Sequence, residues 1–100
     1  MTFTEKCYQM LKKVPSGKVT FYSELAKAAG RPNAGRSAGN IMKNCPSSLN
    51  LPCHRVILAS GKVGEFLSGK DVKIDLLQAE GIFVKNNKVV NLEKHLFTFD

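Results

Sequence analysis

Gly30, Arg31, Pro32 and Asn33 separate two short stretches of helical apolar spacing, and no helix can run through them. Glycine ends a helix readily, and proline lacks the N–H that a continuing helix needs. The stretch before the break reads as a helix from about 21 to 29, with Leu25, Ala26 and Ala29 inward. The stretch after it reads as a helix from 34 to about 44, with Asn33 placed to cap it. Ala34, Ala38, Ile41 and Met42 form one face of this second helix, and Arg36, Asn40 and Lys43 form the other. Two short helices joined by such a turn read as a helix-turn-helix over about 21–44. The second would be the recognition helix, with a basic, amide-bearing free face. Gly35 and Gly39 weaken it by up to ~1 kcal/mol each relative to alanine, which is tolerable where another backbone approaches closely.

The flanks add a small set of further elements. Thr2 and Glu5 fit a capping box for a first helix that carries Phe3, Cys7, Met10, Leu11 and Val14 at helical spacing. Pro15, Ser16 and Gly17 turn the chain into a short extended piece, Val19, Thr20 and Phe21. Ser68 and Asp71 suggest a capping box for a last long helix striped by Val72, Leu76 and Ala79, with Leu77 beside them. Gly81 closes it. Asn86 and Asn87, between Ile82-Phe83-Val84 and Val89-Val90, suggest a β-hairpin. The chain of 100 residues reads as one domain, mostly α with small β elements.

The chemistry concentrates in residues 51–57, Leu-Pro-Cys-His-Arg-Val-Ile. A thiol, an imidazole and a guanidinium stand together between apolar flanks. Buried there, they need partners. Pro52 stiffens the backbone that presents Cys53. Cysteine attacks as thiolate, and adjacent positive charge raises the thiolate fraction. On an extended chain His54 and Cys53 point to opposite sides, so the imidazole reaches the thiol only through a turn or a bridging water. An inert buried cysteine beside a solvated His-Arg pair is the alternative.

Charge points to a polyanionic partner. Between Leu25 and Gly64 there is no acidic residue, while Lys27, Arg31, Arg36, Lys43, Arg55 and Lys62 supply six of the net +7 charges. No stretch is apolar for long enough to span a membrane, and no helix pairs a strongly basic face with large apolar anchors. No signal peptide is expected. Three cysteines without metal-ligand spacing suggest a reducing, intracellular compartment, cytoplasmic in a prokaryote or nuclear in a eukaryote.

The string Pro52-Cys53-His54-Arg55-Val56, with its surroundings from about Phe3 to Gly81, resembles the O6-alkylguanine-DNA alkyltransferases in their C-terminal domain. The resemblance implies a winged helix-turn-helix-like domain that binds double-stranded DNA carrying O6-alkylguanine through the minor groove. It implies base flipping and irreversible transfer of the alkyl group to Cys53, one group per protein. His54 matches the base that takes the thiol proton through a water, and Glu80 the carboxylate that orients it. Tyr22, Arg36, Asn40, Met42, Val56, Phe66 and Leu67 match positions on DNA or the flipped base, with Arg36 as the finger that enters the stack. Arg55 and Lys73 match structural positions near the site. No cofactor or metal is implied, and a monomer is expected.

The chain also departs from that family's pattern. An asparagine commonly stands eight residues before the cysteine and braces the active-site segment; here Cys45 stands there, preceded by Asn44. A thiol is a poorer hydrogen-bonder than an amide. The helical stripe carries on to Cys45, which is expected inward and beneath the active-site segment, with Asn44 or water covering part of the lost polarity. Phe66, Leu67, Ser68 and Gly69 stand where the pocket loop usually has a tyrosine and a serine. The rival reading is a non-catalytic alkyltransferase-like protein that binds lesions without transfer. A Cys-His-Glu hydrolase would not need the acid-free basic middle, and a sequence-specific regulator would need more base-reading side chains than Arg36, Asn40 and Lys43.

Overall fold

A computed structural model describes residues 1–99, apart from the side chain of Ser47. Helix α1 (Phe3–Leu11) starts on the expected capping box: the Glu5 N–H donates to Thr2 Oγ1 at 3.1 Å and the Thr2 N–H to Glu5 Oε1 at 3.0 Å. It buries Cys7 and Leu11. Strand β1 (Thr20–Phe21) runs directly into α2 (Tyr22–Ala28), which buries Tyr22, Leu25 and Ala26. Helix α3 (Gly35–Lys43) packs on α2 and buries Ala38 and Met42.

The two glycines of α3 have different surroundings. A Cβ on Gly35 would sit 3.4 Å from Ser23 Cα, so glycine there lets α2 and α3 approach closely. A Cβ on Gly39 would meet nothing within 4 Å. Asn33 is not the α3 cap. Ala34 holds that position, and its N–H bonds to the Arg31 carbonyl at 3.1 Å. Residues 31–34 therefore close a turn of their own, and the helix starts one residue later than expected.

After Pro52 the chain makes one turn of 3-10 helix, Cys53–Arg55, and then strand β2 (Val56–Ile57). β2 pairs in parallel with β1, Thr20 opposite Val56 and Phe21 opposite Ile57. This pairing fastens the Cys-His-Arg turn to the start of the helix-turn-helix.

Helix α4 (Lys70–Ala79) corrects two expectations. Gly69, at φ +108°, is its N-cap, with no side-chain cap from Ser68. Its buried residues are Lys73 and Leu77, while Val72 and Leu76 are 41% and 39% exposed. The inward stripe is displaced because Lys73 finds hydrogen-bond acceptors inside, which an apolarity pattern cannot register. Strands β3 (Val84–Lys85) and β4 (Lys88–Val89) form the expected antiparallel hairpin. Asn86 and Asn87, at φ +53° and +63°, supply the two left-handed residues of a type I′ turn. Helix α5 (Leu92–His95) follows, and Leu96 then bridges to Val19.

The core has two parts. One gathers Cys7, Leu11, Leu25, Ala38, Met42 and Cys53. The other gathers Val19, Ile57, Val63, Leu77, Ile82 and Val89. Cys53 and Val56 belong to the first and Ile57 to the second, so the segment at 51–57 is the seam between them. Among the described residues no helix is long and apolar enough to cross a membrane.

Candidate active site

The 3-10 turn that carries Cys53, His54 and Arg55 brings the imidazole and the guanidinium to one carboxylate. His54 Nε2 lies 2.9 Å from Glu80 Oε2, and Arg55 Nη2 donates to the same oxygen at 2.6 Å. Arg55 Nε donates to Glu80 Oε1 at 3.0 Å and Arg55 Nη1 to the Val14 carbonyl at 2.9 Å. Glu80 is the C-cap of α4 and Val14 follows α1, so Arg55 ties the end of α4 and the segment after α1 to the turn. Burial pushes the Glu80 carboxyl up, but the hydrogen bonds from Arg55 and His54 outweigh it and hold the group below its ordinary value. A carboxylate at Nε2 favours the tautomer with its proton there, which leaves Nδ1 as the proton acceptor.

Cys53 is 5% exposed and packs in the same cluster as Tyr22 and Met42. Cys45, 7% exposed, lies directly beneath it, and the structure joins Cys45 to Cys53 in a disulfide. The inward position of Cys45 agrees with the extrapolated stripe, and its pairing with Cys53 is a feature that the stripe alone does not give. Of the three, Cys7 is the free one, and burial pushes its thiol pKa up. Asn44 does not take over the brace. It is exposed, and its side chain donates to the Asn40 carbonyl of its own helix at 2.9 Å.

Lys73 is fully buried on the other side of the turn. Its Nζ donates to the Val56 carbonyl at 2.7 Å, to Tyr22 Oη at 3.0 Å and, more weakly, to the Glu65 carbonyl at 3.4 Å. Burial lowers the Lys73 pKa to about 7, against a smaller opposing pull from the Glu65 charge. Burial, helped by that same charge, pushes Tyr22 up to about 12. Tyr22 is thus a neutral phenol, tied through Lys73 to the carbonyl that ends the Cys-His-Arg turn. Gly64 abuts Tyr22 closely: a Cβ there would stand 3.2 Å from the phenol oxygen.

Tyr22 also lines an open groove of about 830 Å³ between α3 and the hairpin. Arg36, Gly39, Asn40 and Lys43 form one wall. Lys62, Lys70, Asn86 and Asn87 contribute from the far side, and Glu65 is its acidic member. The free face of α3 expected from the sequence therefore fronts a cleft, and Gly39 leaves open space along that wall. Phe66 packs on the cluster that holds Cys53, whereas Leu67 is 58% exposed. The sequence reading missed the groove's contributions from Lys62, Lys70 and the hairpin, which only the fold brings opposite α3.

Residues 2–82 match the family described as 6-O-methylguanine DNA methyltransferase, DNA binding domain. The chain belongs to that family. A DNA base-flipping protein of Escherichia coli (strain K12) is 32% identical over 98% of this chain and 76% of its own length. A methylated-DNA–protein-cysteine methyltransferase of Homo sapiens is 43% identical over 74% of the chain, which spans 36% of that protein. The structure of S. pombe Atl1 in complex with damaged DNA containing O6-carboxymethylguanine superposes with a TM-score of 0.84 at 28% identity, covering 96% of this chain and 94% of that one. The alkyltransferase fold, mostly helical with few strands, is thereby shared over 96% of the chain. The hairpin and α5 lie beyond the part that the family description matches.

Proposed function

We propose that this chain repairs O6-alkylguanine in double-stranded DNA by direct transfer of the alkyl group to Cys53. The observation that supports this reading is the Cys53–Arg55 turn, in which the buried Cys53 directly precedes an imidazole held by the Glu80 carboxylate. His54 Nδ1 would take the thiol proton through a bridging water, and Glu80 would stabilise the imidazolium that forms. The thiolate sulfur would attack the alkyl carbon, and the guanine oxygen would leave with the bonding electron pair. The Tyr22 phenol, neutral at physiological pH, is suited to donate a proton to the departing base. The base would enter from the groove past Tyr22, because Cys53 does not itself line that groove. Arg36 would occupy the space the base vacates. Lys43, Lys62 and Lys70 on the groove walls are suited to phosphate oxygens. Transfer requires the reduced protein, since the disulfide occupies the accepting sulfur.

A second reading is lesion binding without transfer. It is favoured by the match over nearly the whole chain to proteins named for base flipping or solved on damaged DNA, and it uses the same groove. Intact-protein mass spectrometry separates the two. Reduced protein incubated with DNA containing O6-methylguanine is expected to gain one methyl group, on Cys53, and Cys53→Ser to gain none while still binding the DNA. Tight lesion binding with no adduct would establish the second reading.

A further inference from the structure

Cys45 is the feature that neither reading of the site uses. It is buried at the end of α3, eight residues before Cys53, and the two Cα atoms are 6.8 Å apart. We propose that Cys45 and Cys53 form a reversible redox pair, in which Cys45 is the resolving thiol that protects the accepting sulfur from over-oxidation. The proposal rests on Cys53 being the alkyl acceptor for its consequence, though not for its chemistry.

Burial decides the class of oxidant. With Cys45 7% and Cys53 5% exposed, hydrogen peroxide, about the size of two waters, reaches the sulfurs fastest, and a larger disulfide or dithiol reaches them more slowly. The Cys53 thiolate would attack one peroxide oxygen, break the O–O bond and release hydroxide, leaving a sulfenic acid. The Cys45 thiolate would then attack that sulfur, form the S–S bond and expel the oxygen as a second hydroxide. The two hydroxides take up the two thiol protons as water. The pair loses two electrons and the peroxide gains them. Without a neighbouring thiol, a sulfenic acid continues to sulfinic acid, which thiol reductants do not reverse.

The arrangement suits this sequence of steps. The loop between the cysteines contains a short 3-10 turn, Ser47–Leu49, and it is anchored at one end by α3 and at the other by Pro52. Cys7 is buried in the same core cluster but is not paired, so proximity singles out Cys45 as the partner. For a protein that spends its cysteine in a single transfer, loss of that sulfur to peroxide is as final as alkylation. A reducible disulfide stores it instead.

The test uses the whole chain, first reduced and then exposed to hydrogen peroxide. Peptide mapping without reductant is expected to find Cys45 linked to Cys53, with Cys7 still a free thiol. Alkyl transfer should disappear and return fully on adding dithiothreitol. Cys45→Ser, compared with its own reduced activity, should be inactivated by the same treatment and should not recover, with sulfinic acid found at Cys53. Sulfinic acid at Cys53 in the natural chain, or a linked peptide joining Cys7, would overturn the proposal, as would full recovery of Cys45→Ser. The mapping needs no transfer activity. Reduced protein that never accepts an alkyl group would therefore sink the functional reading and leave the redox pair standing or falling on its own peptides.

Discussion

Glu80 holds His54 and Arg55 on a single carboxylate, with His54 Nε2 at 2.9 Å and Arg55 Nη2 at 2.6 Å from the same oxygen. The two bonds have separate consequences. The first sets the imidazole tautomer, and the second fixes the turn to the end of α4 and, through Val14, to α1. Replacing Glu80 by Gln keeps the volume but removes the charge and turns one oxygen into a donor that faces two donors. Transfer from O6-methylguanine DNA is expected to slow by about 10²–10⁴-fold in single-turnover kinetics, the range associated with a mispositioned general base. Stability should fall by about 1–3 kcal/mol in urea unfolding, because Arg55 is left partly unsatisfied. The acid side should change as well. The folded pKa of Glu80 is depressed below 4.5, so its contribution is fully present above that value and fades as pH falls through the folded pKa. The gap in stability between the natural chain and Glu80→Gln should therefore narrow below pH 4.5. A constant gap would show that Glu80 is not ionised in the folded protein.

Arg36 stands exposed on the groove wall, while Cys53 is buried and does not line that groove. On the proposed function, extruding the base and reacting with it would fall to different residues. Arg36→Ala should slow transfer from duplex DNA far more than reaction with free O6-benzylguanine, which needs no extrusion. Equal slowing of the two would remove Arg36 from the extrusion step. The affinity for DNA should fall steeply with salt, because Lys43, Lys62 and Lys70 on the groove walls would displace counterions from the phosphates.

Several parts of this arrangement were legible in the sequence, for identifiable reasons. The break at Gly30 and Pro32, the Thr2 capping box and the Asn86-Asn87 turn are local rules, satisfied within a few residues of chain. The inward face of α3 follows from periodicity alone, and it placed Cys45 correctly beneath residues 51–57. What was not legible depends on contacts between distant segments. The parallel pairing of Val56 with Thr20 joins residues that share no pattern. The Asn33 cap failed because a turn at Arg31 and Ala34 competed for the same residues. The stripe on α4 was misread because apolar spacing does not register Lys73, which the fold buries against three acceptors. The bond between Cys45 and Cys53 needed both the helix end and the 3-10 turn in place. Only the inward stripe hinted at it.

Lys73 offers a test that does not depend on DNA at all. Its ammonium sits among the Val56 carbonyl, the Tyr22 hydroxyl and the Glu65 carbonyl, with no carboxylate bonded to it. Burial lowers its pKa from 10.5 to about 7, so between those values the unfolded chain binds the proton more readily than the folded one. Folding stability then rises with pH across that window, opposite in sign to a salt-bridged lysine. Lys73→Met preserves the length of the side chain and removes the titration. The variant should lose the three hydrogen bonds, leave the Val56 carbonyl and Tyr22 hydroxyl unpaired, and cost about 1–3 kcal/mol. Its stability should also lack the rise between pH 7 and 10 that the natural chain shows in urea unfolding. The comparison stops there, because Tyr22, pushed up to about 12, adds an opposing slope above its ordinary value of 10. A natural chain whose stability is flat or falling from pH 7 to 10 while Lys73→Met behaves identically would show that the buried amine carries its proton throughout, held by its three acceptors.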